Sequence, residues 1–236
     1  MVERLSNFEV AKHIFSPFFL NFMYQQDGCC GGGCCDNNQS SDMPEYFPMI
    51  GSKVPDLEFD YFQNESFHKA HFSDFRGKWA VVFFYPADFT FICPTELEEM
   101  QKSYKKFQEL GAEVLSVSTD TKFTHKAWHD HSPAIKTLEY PMVADPSGDI
   151  SDAFGVLIHE GEDKGLALRG SFVIDPDGTL QAYEVHANNV GRSADELLRK
   201  LEAAIFVREH GGEVCPANWK KGGKTLKPGI DLVGKI

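Results

Sequence analysis

Basic residues are scarce in this chain: 23 lysines and arginines face 35 acidic residues across 236 positions, a formal net charge of −12. No basic patch is visible, which argues against nucleic acid and anionic membrane as principal partners, because a phosphate backbone demands a positive face. Long apolar runs are missing as well. The most apolar N-terminal stretch, residues 14–24, is broken by Pro17 and Asn21 and falls short of the about 20 residues that span a bilayer. As a secretory leader it is a poor match, with mixed charge before it and no clear small-residue cleavage site after it. The expected location is the cytoplasm. No G-x-G-x-x-G follows a strand, and no haem, flavin, nicotinamide or catalytic-metal motif is present, so the expectation is no cofactor and no metal. Cysteines are few and uneven: four of the six crowd into residues 29–35, leaving only Cys93 and Cys215 in the remainder. That is not the framework of a disulfide-stapled secreted domain.

What is present is enough apolar residue, 42% of the chain, to bury one sizeable core. Residues 1–48 differ in texture from the rest: apolar aromatics, then Cys29-Cys30-Gly31-Gly32-Gly33-Cys34-Cys35, then the polar run 36–42. They are expected to form a flexible Cys-rich extension, with Met43 or Met49 as alternative first residues. Cys29, Cys30, Cys34 and Cys35 could hold zinc or copper(I), carry a lipid or be adventitious; their spacing fits no familiar zinc ribbon. A compact α/β domain is expected over 49–210, followed by a tail, 211–236, that carries Cys215.

Trp79 to Tyr85 is apolar throughout and predicts a central strand covered on both faces. After Pro94, Leu97, Met100, Tyr104, Phe107 and Leu110 recur at three-and-four spacing, the buried face of a helix that Gly111 stops. Glu113 to Ser118 predicts the next strand, and a crossover of this length implies parallel neighbours. A short helix is predicted over 122–131 and another around 150–154. Strands at 170–175 and 180–186 are joined by the turn Asp175-Pro176-Asp177-Gly178. Ser193 with Glu196 predicts a capping box opening a helix to about Glu209.

The predicted elements put Cys93 on the first turn of a helix that follows a buried strand. Orphan backbone N–H groups and the positive end of the helix dipole lie there, and both favour a thiolate. Pro94 suits the first helical position. Lowering an ordinary thiol pKa of about 8.5 by two units gains about 25-fold in thiolate at pH 7, or about 2 kcal/mol. Ionisation alone does not make a fast reaction; the remainder must come from groups that align the substrate and stabilise charge on the leaving atom. Thr90, three residues before Cys93, is placed to exchange hydrogen bonds with a substrate at the thiol, and Pro86 to shield the thiol from water.

Pro86 to Cys93 is a P-x-x-x-T-x-x-C run which, followed by Pro94-Thr95-Glu96-Leu97, closely resembles the active-site signature of the peroxiredoxins. Glu213-Val214-Cys215-Pro216-Ala217-Asn218-Trp219 resembles the resolving-cysteine segment of their typical two-cysteine branch. The resemblance covers about residues 50–236 and implies a thioredoxin-like fold, an α/β three-layer sandwich around a central mixed β-sheet. It also implies a thiol-specific peroxidase of antioxidant defence, reducing hydrogen peroxide and organic hydroperoxides. Cys93 would be the peroxidatic thiol, oxidised to a sulfenic acid. Cys215 of the partner subunit would resolve it to an intersubunit disulfide, which requires local unfolding to bring the two together. By the same resemblance Arg169 is the active-site arginine, with Glu96 and Arg192 in supporting positions. His125 and Trp128 match the family too and read as packing and helix-surface residues. The implied partners are a second copy in a homodimer, a ring of five dimers, and a flavoprotein disulfide reductase or thioredoxin-type reductant.

Two departures carry expectations of their own. The Gly-Gly-Leu-Gly loop and C-terminal Tyr-Phe helix of the family's oxidation-sensitive members are not found, since residues 131–141 hold no glycine and the sequence ends Val233-Gly234-Lys235-Ile236. Cys93 should therefore resist overoxidation. A disulfide reductase of the same fold would show C-x-x-C where this chain has Cys93-Pro94-Thr95-Glu96. A non-enzymatic role, as holdase or redox relay, is the remaining alternative, and a holdase would survive Cys93→Ser.

Overall fold

Six consecutive apolar residues, Trp79–Phe84, form a strand (β3) buried at every position, as a strand covered on both faces must be. The computed structural model describes residues 49–236. The expected extension over 1–48, with Cys29, Cys30, Cys34 and Cys35, lies outside the described residues. The elements run β1 (Glu58–Gln63), β2 (Ser66–His71), β3, α1 (Cys93–Glu109), β4 (Ala112–Ser118), α2 (Lys122–His131), β5 (Met142–Ala144), α3 (Asp149–Ala153), β6 (Arg169–Ile174), β7 (Leu180–His186) and α4 (Ala194–Glu209). One sheet orders the strands β2-β1-β5-β4-β3-β6-β7. Its centre, β3 with β4 and β4 with β5, is parallel. The flanks are antiparallel, so the sheet is mixed as expected.

Alternation along β3 divides the core in two. Val81, Phe83 and Tyr85 share one cluster with Leu97, Met100, Tyr104 and Phe107 of α1, Trp128 of α2 and Leu197, Leu198 and Leu201 of α4. Val82 and Phe84 share the other with Phe59, Leu115, Val117, Ile150 and Phe154. Helices thus cover both faces and make three layers.

The predicted boundaries of α1, α2 and α4 agree with the structure to within a residue or two. One shift matters: Cys93 itself is the first helical residue and Pro94 the second, Ile92 standing at the N-cap. Gly111, at φ +72, ends α1 in a conformation that costs glycine little. The capping box at α4 is only half formed. The Ser193 hydroxyl accepts from the Glu196 N–H, but the Glu196 carboxylate turns to Arg199 at 2.8 Å instead of reaching back.

Strands β1, β2 and β5 have no counterpart in the sequence reading. The β1–β2 hairpin turns on Asn64 and Glu65 at φ +50 and +57, between the paired residues Gln63 and Ser66. That is a primed-turn geometry without the glycine that usually announces it. β2 is exposed at every position but Ala70, so it carries no alternation, and β5 is three residues long.

The tail 211–236 meets α4 at Cys215 and Trp219. Trp219 is buried, its ring 5.1 Å from that of Phe206, and its carbonyl accepts from Arg199 at 3.2 Å. Backbone bonds between Val214 and Leu226 close the intervening loop.

Candidate active site

Residues 85–92, the link between β3 and α1, are short and heavily bonded. Pro86 is buried within it. Phe89 takes φ +56, a region that bulky side chains rarely adopt and that the surroundings must hold. The link delivers Cys93 to the first turn of α1 with its side chain fully buried.

Facing that thiol is Arg169, the first residue of β6, itself 3% exposed. Its Nη1 donates to Cys93 Sγ at 3.4 Å and to Glu96 Oε2 at 2.6 Å, and its Nε to the Asn188 carbonyl at 2.9 Å. The next position admits only glycine without rearrangement: a Cβ on Gly170 would meet Phe172 Cε2 and Val156 Cγ1 at 2.8 Å.

Glu96, one turn into α1, joins both arginines. Its Oε1 accepts from the Arg192 N–H at 2.8 Å and Nε at 2.9 Å, while Oε2 is also shared with Arg192 Nη2 at 3.0 Å. Arg192 further donates through Nη1 to the Gly170 carbonyl at 2.7 Å and to Ser171 Oγ at 3.1 Å. Its guanidinium carbon lies 3.5 Å over the Phe83 ring, a cation–π contact. Burial pushes the Glu96 carboxyl upward, but the Arg192 bonds and the charges of Arg192 and Arg169 outweigh it and hold the pKa below its ordinary value. Burial lowers that of Arg192, against the pull of Glu96. A plain helix-end carboxylate would account for none of this.

Thr90 donates its hydroxyl hydrogen to the Ala87 carbonyl at 2.7 Å. That hydrogen is already committed, which leaves the lone pairs as the part of the hydroxyl available to an incoming O–H. Cys215 stands elsewhere, half-buried, its Sγ 4.0 Å from the Ala203 carbonyl of α4. Burial raises its thiol pKa and Arg199 partly opposes the rise. Both cysteines are free thiols.

His125 is not a helix-surface residue. It is fully buried, with Nδ1 2.7 Å from Asp88 Oδ2 and Nε2 3.1 Å from the Val143 carbonyl. Asp88, also buried, accepts from the Tyr85 hydroxyl at 2.7 Å, and its N–H donates to Asp120 Oδ2 at 2.8 Å. Burial raises the Asp88 carboxyl, against the hydrogen bond and charge of His125. This network ties the link carrying Pro86 and Thr90 to α2 and to the end of β4. Sequence reasoning gave none of its four members, Tyr85, Asp88, Asp120 and His125, a role at the site. The one available signal was an aspartate inside an otherwise apolar run, two residues before Thr90.

Residues 50–183 match the model of the AhpC/TSA family, and residues 206–231 match that described as the C-terminal domain of 1-Cys peroxiredoxin. The chain is 53% identical over 189 residues to the alkyl hydroperoxide reductase C of Amphibacillus xylanus, covering 80% of this chain and 99% of that one. To the protein of the same name from Staphylococcus epidermidis it is 57% identical over 174 residues, 74% of this chain and 90% of the relative. Among solved structures it is similar to Enterococcus faecalis AhpC, with a TM-score of 0.68 at 47% identity over 72% of this chain and 99% of the other. A reduced Plasmodium vivax 2-Cys peroxiredoxin superposes with a TM-score of 0.73 at 34% identity, over 77% and 94% of the two chains.

Proposed function

Because the chain belongs to the AhpC/TSA family of peroxiredoxins, and is therefore a thiol-dependent peroxidase of thioredoxin-like fold that reduces hydroperoxides, we propose the following division of labour among its residues. Cys93 attacks as the thiolate. Its sulfur takes the terminal oxygen of the hydroperoxide, the O–O bond breaks, and the departing alkoxide or hydroxide collects a proton, leaving Cys93 as a sulfenic acid. Arg169 holds the attacking sulfur and stabilises charge on the dividing O–O bond, the kind of developing charge that fixed donors stabilise best. Glu96 and Arg192 are positioning residues that keep the Arg169 fork in plane. Thr90 accepts a hydrogen bond from the bound peroxide, and Pro86 excludes water.

Cys215 of the partner subunit then displaces water from the sulfenic acid, forming the Cys93–Cys215 disulfide. A reductase partner, a flavoprotein disulfide reductase or a thioredoxin-type protein, returns both thiols. A second copy of the chain fits one of the two edges of the sheet: among the described residues β7 ends one side and β2 the other, and Tyr183 and Val185 are exposed on β7. The assembly is a homodimer that closes into a ring of five dimers, in the cytoplasm. No helix among the described residues is long and apolar enough to cross a membrane. The folded peroxidase unit spans 49–210, and 211–236 acts as a separable tail that releases Cys215.

One observation carries this reading: the Arg169 donor lies 3.4 Å from a buried helix-start sulfur and is fixed by Glu96. The test is one equivalent of hydrogen peroxide on fully reduced protein, followed by non-reducing intact mass and peptide mapping. The expected product is a covalent dimer linked Cys93 to Cys215. An unmodified Cys93, or a linkage confined to Cys29, Cys30, Cys34 and Cys35, would overturn it.

A further inference from the structure

Where the β1–β2 turn meets the end of α2, three potential ligands converge. His129 is 9% exposed, its ring set edge-on to Phe62 at 5.1 Å. Its Nδ1 is buried without a hydrogen-bond partner, a costly condition for a polar atom. Glu65 Oε1 lies 3.4 Å from that nitrogen and Asp130 Oδ1 3.9 Å. One ligand atom from each of the three residues falls within 4.8 Å of the others. Ligands about 2.1 Å from a shared ion stand roughly 3.0–3.5 Å apart at octahedral or tetrahedral angles, so small side-chain adjustments would complete a shell.

We propose that Glu65, His129 and Asp130 bind a divalent first-row transition cation, through Glu65 Oε1, His129 Nδ1 and Asp130 Oδ1, with water filling the remaining positions. One imidazole and two carboxylates suit manganese, iron or zinc and not a soft monovalent ion. Lys126 is the evident competitor: its Nζ stands 2.7 Å from Asp130 Oδ1 and Oδ2 and 3.0 Å from Glu65 Oε2. An ion pair with Lys126 accounts for the carboxylates but leaves the His129 nitrogen without a hydrogen bond, at salt-bridge distance only from Glu65 and Asp130, whereas a bound cation satisfies all three groups. The lysine, one-third exposed, can swing into solvent as the cation enters. The ligands come from a turn and from a separate helix, so occupancy would pin the β1–β2 hairpin to α2. Peroxide chemistry at Cys93 does not use the site.

The test is a titration of the reduced full-length chain with Mn2+, chosen because thiolates prefer softer ions, reading free ion by electron paramagnetic resonance. One ion per chain is expected. Glu65→Gln should weaken binding at least as much as loss of an outer-shell partner does, about 10–100-fold, with peroxidase turnover unchanged. His129→Gln should do the same, and Lys126→Met should tighten binding several-fold. Glu65 is an exposed turn residue, so its variant carries the test if the buried His129 variant does not fold. No retention of Mn2+ up to millimolar concentration, or equal retention by wild type and Glu65→Gln, overturns the proposal.

Discussion

Lysine in place of Arg169 would keep a positive charge and lose the planar fork that reaches Asn188, Glu96 and Cys93 together, which a single ammonium cannot reproduce. For Arg169→Lys, kcat/KM with hydrogen peroxide should fall about 10²–10³-fold, the usual loss for one donor at developing charge; stopped-flow rates within threefold of wild type would refute the role. Glu96 makes a different prediction. Removing the carboxylate that two buried guanidinium groups share should cost about 3–5 kcal/mol, measured for Glu96→Gln by urea unfolding. Its pKa is depressed in the fold from an ordinary value of 4.5, so its stabilisation is complete above that value and is lost as pH falls through the folded pKa. Wild type should show a steeper stability loss below pH 4.5 than Glu96→Gln. At this scale the sequence was legible where a local run or a family match named a residue: Cys93, Arg169, Glu96 and Arg192. The Asp88–His125 bond joins two elements and its one local trace is an aspartate in an apolar run, so a buried histidine looked like one more polar residue on a helix.

Helices declared themselves through spacing and caps, as Leu97, Met100, Tyr104 and Phe107 of α1 and the Ser193 cap of α4 show. Strands did so where burial on both faces made an apolar run, as in β3, or where a turn signal joined two of them, as in β6 and β7. β2 lies exposed and its turn lacks glycine, so nothing in its six residues distinguishes it from a loop. The least expected element is the docked tail, whose many glycines and lysines would ordinarily leave it free. Trp219 holds it through Phe206 and Arg199. Trp219→Ala should release residues 211–236 with little change in global unfolding, raising amide exchange there at least about tenfold. It should also restore an ordinary alkylation pH profile to Cys215, whose thiol pKa is now raised by burial. Tail protection identical to wild type by exchange mass spectrometry would count against the docking.

The layered plan of the molecule was legible because β3, α1 and β4 repeat a parallel crossover whose geometry admits few arrangements. Which strands would stand at the edges was not, because that depends on β1, β2 and β5 extending the sheet on the side away from β7. The open edge at β7 predicts that Val185→Lys, a charge on an exposed strand position, yields a monomer of unchanged secondary structure. Treated with peroxide it should form the sulfenic acid and fail to form the disulfide, as sedimentation and intact mass would show; a disulfide in the monomer would make the linkage intrachain. The buried arginine pair also links redox state to shape. While Cys93 is the attacking thiolate, two guanidinium charges face two negative groups, its own and that of Glu96. Conversion to a neutral sulfenic acid leaves Glu96 alone against both arginines, so one cation stays sealed from water and unmatched. Hydration of Arg169 then becomes favourable, and the first turn of α1 is the lid on it. Oxidation itself should therefore loosen that turn, seen as faster amide exchange at residues 93–97 in peroxide-treated Cys215→Ser than in its reduced form.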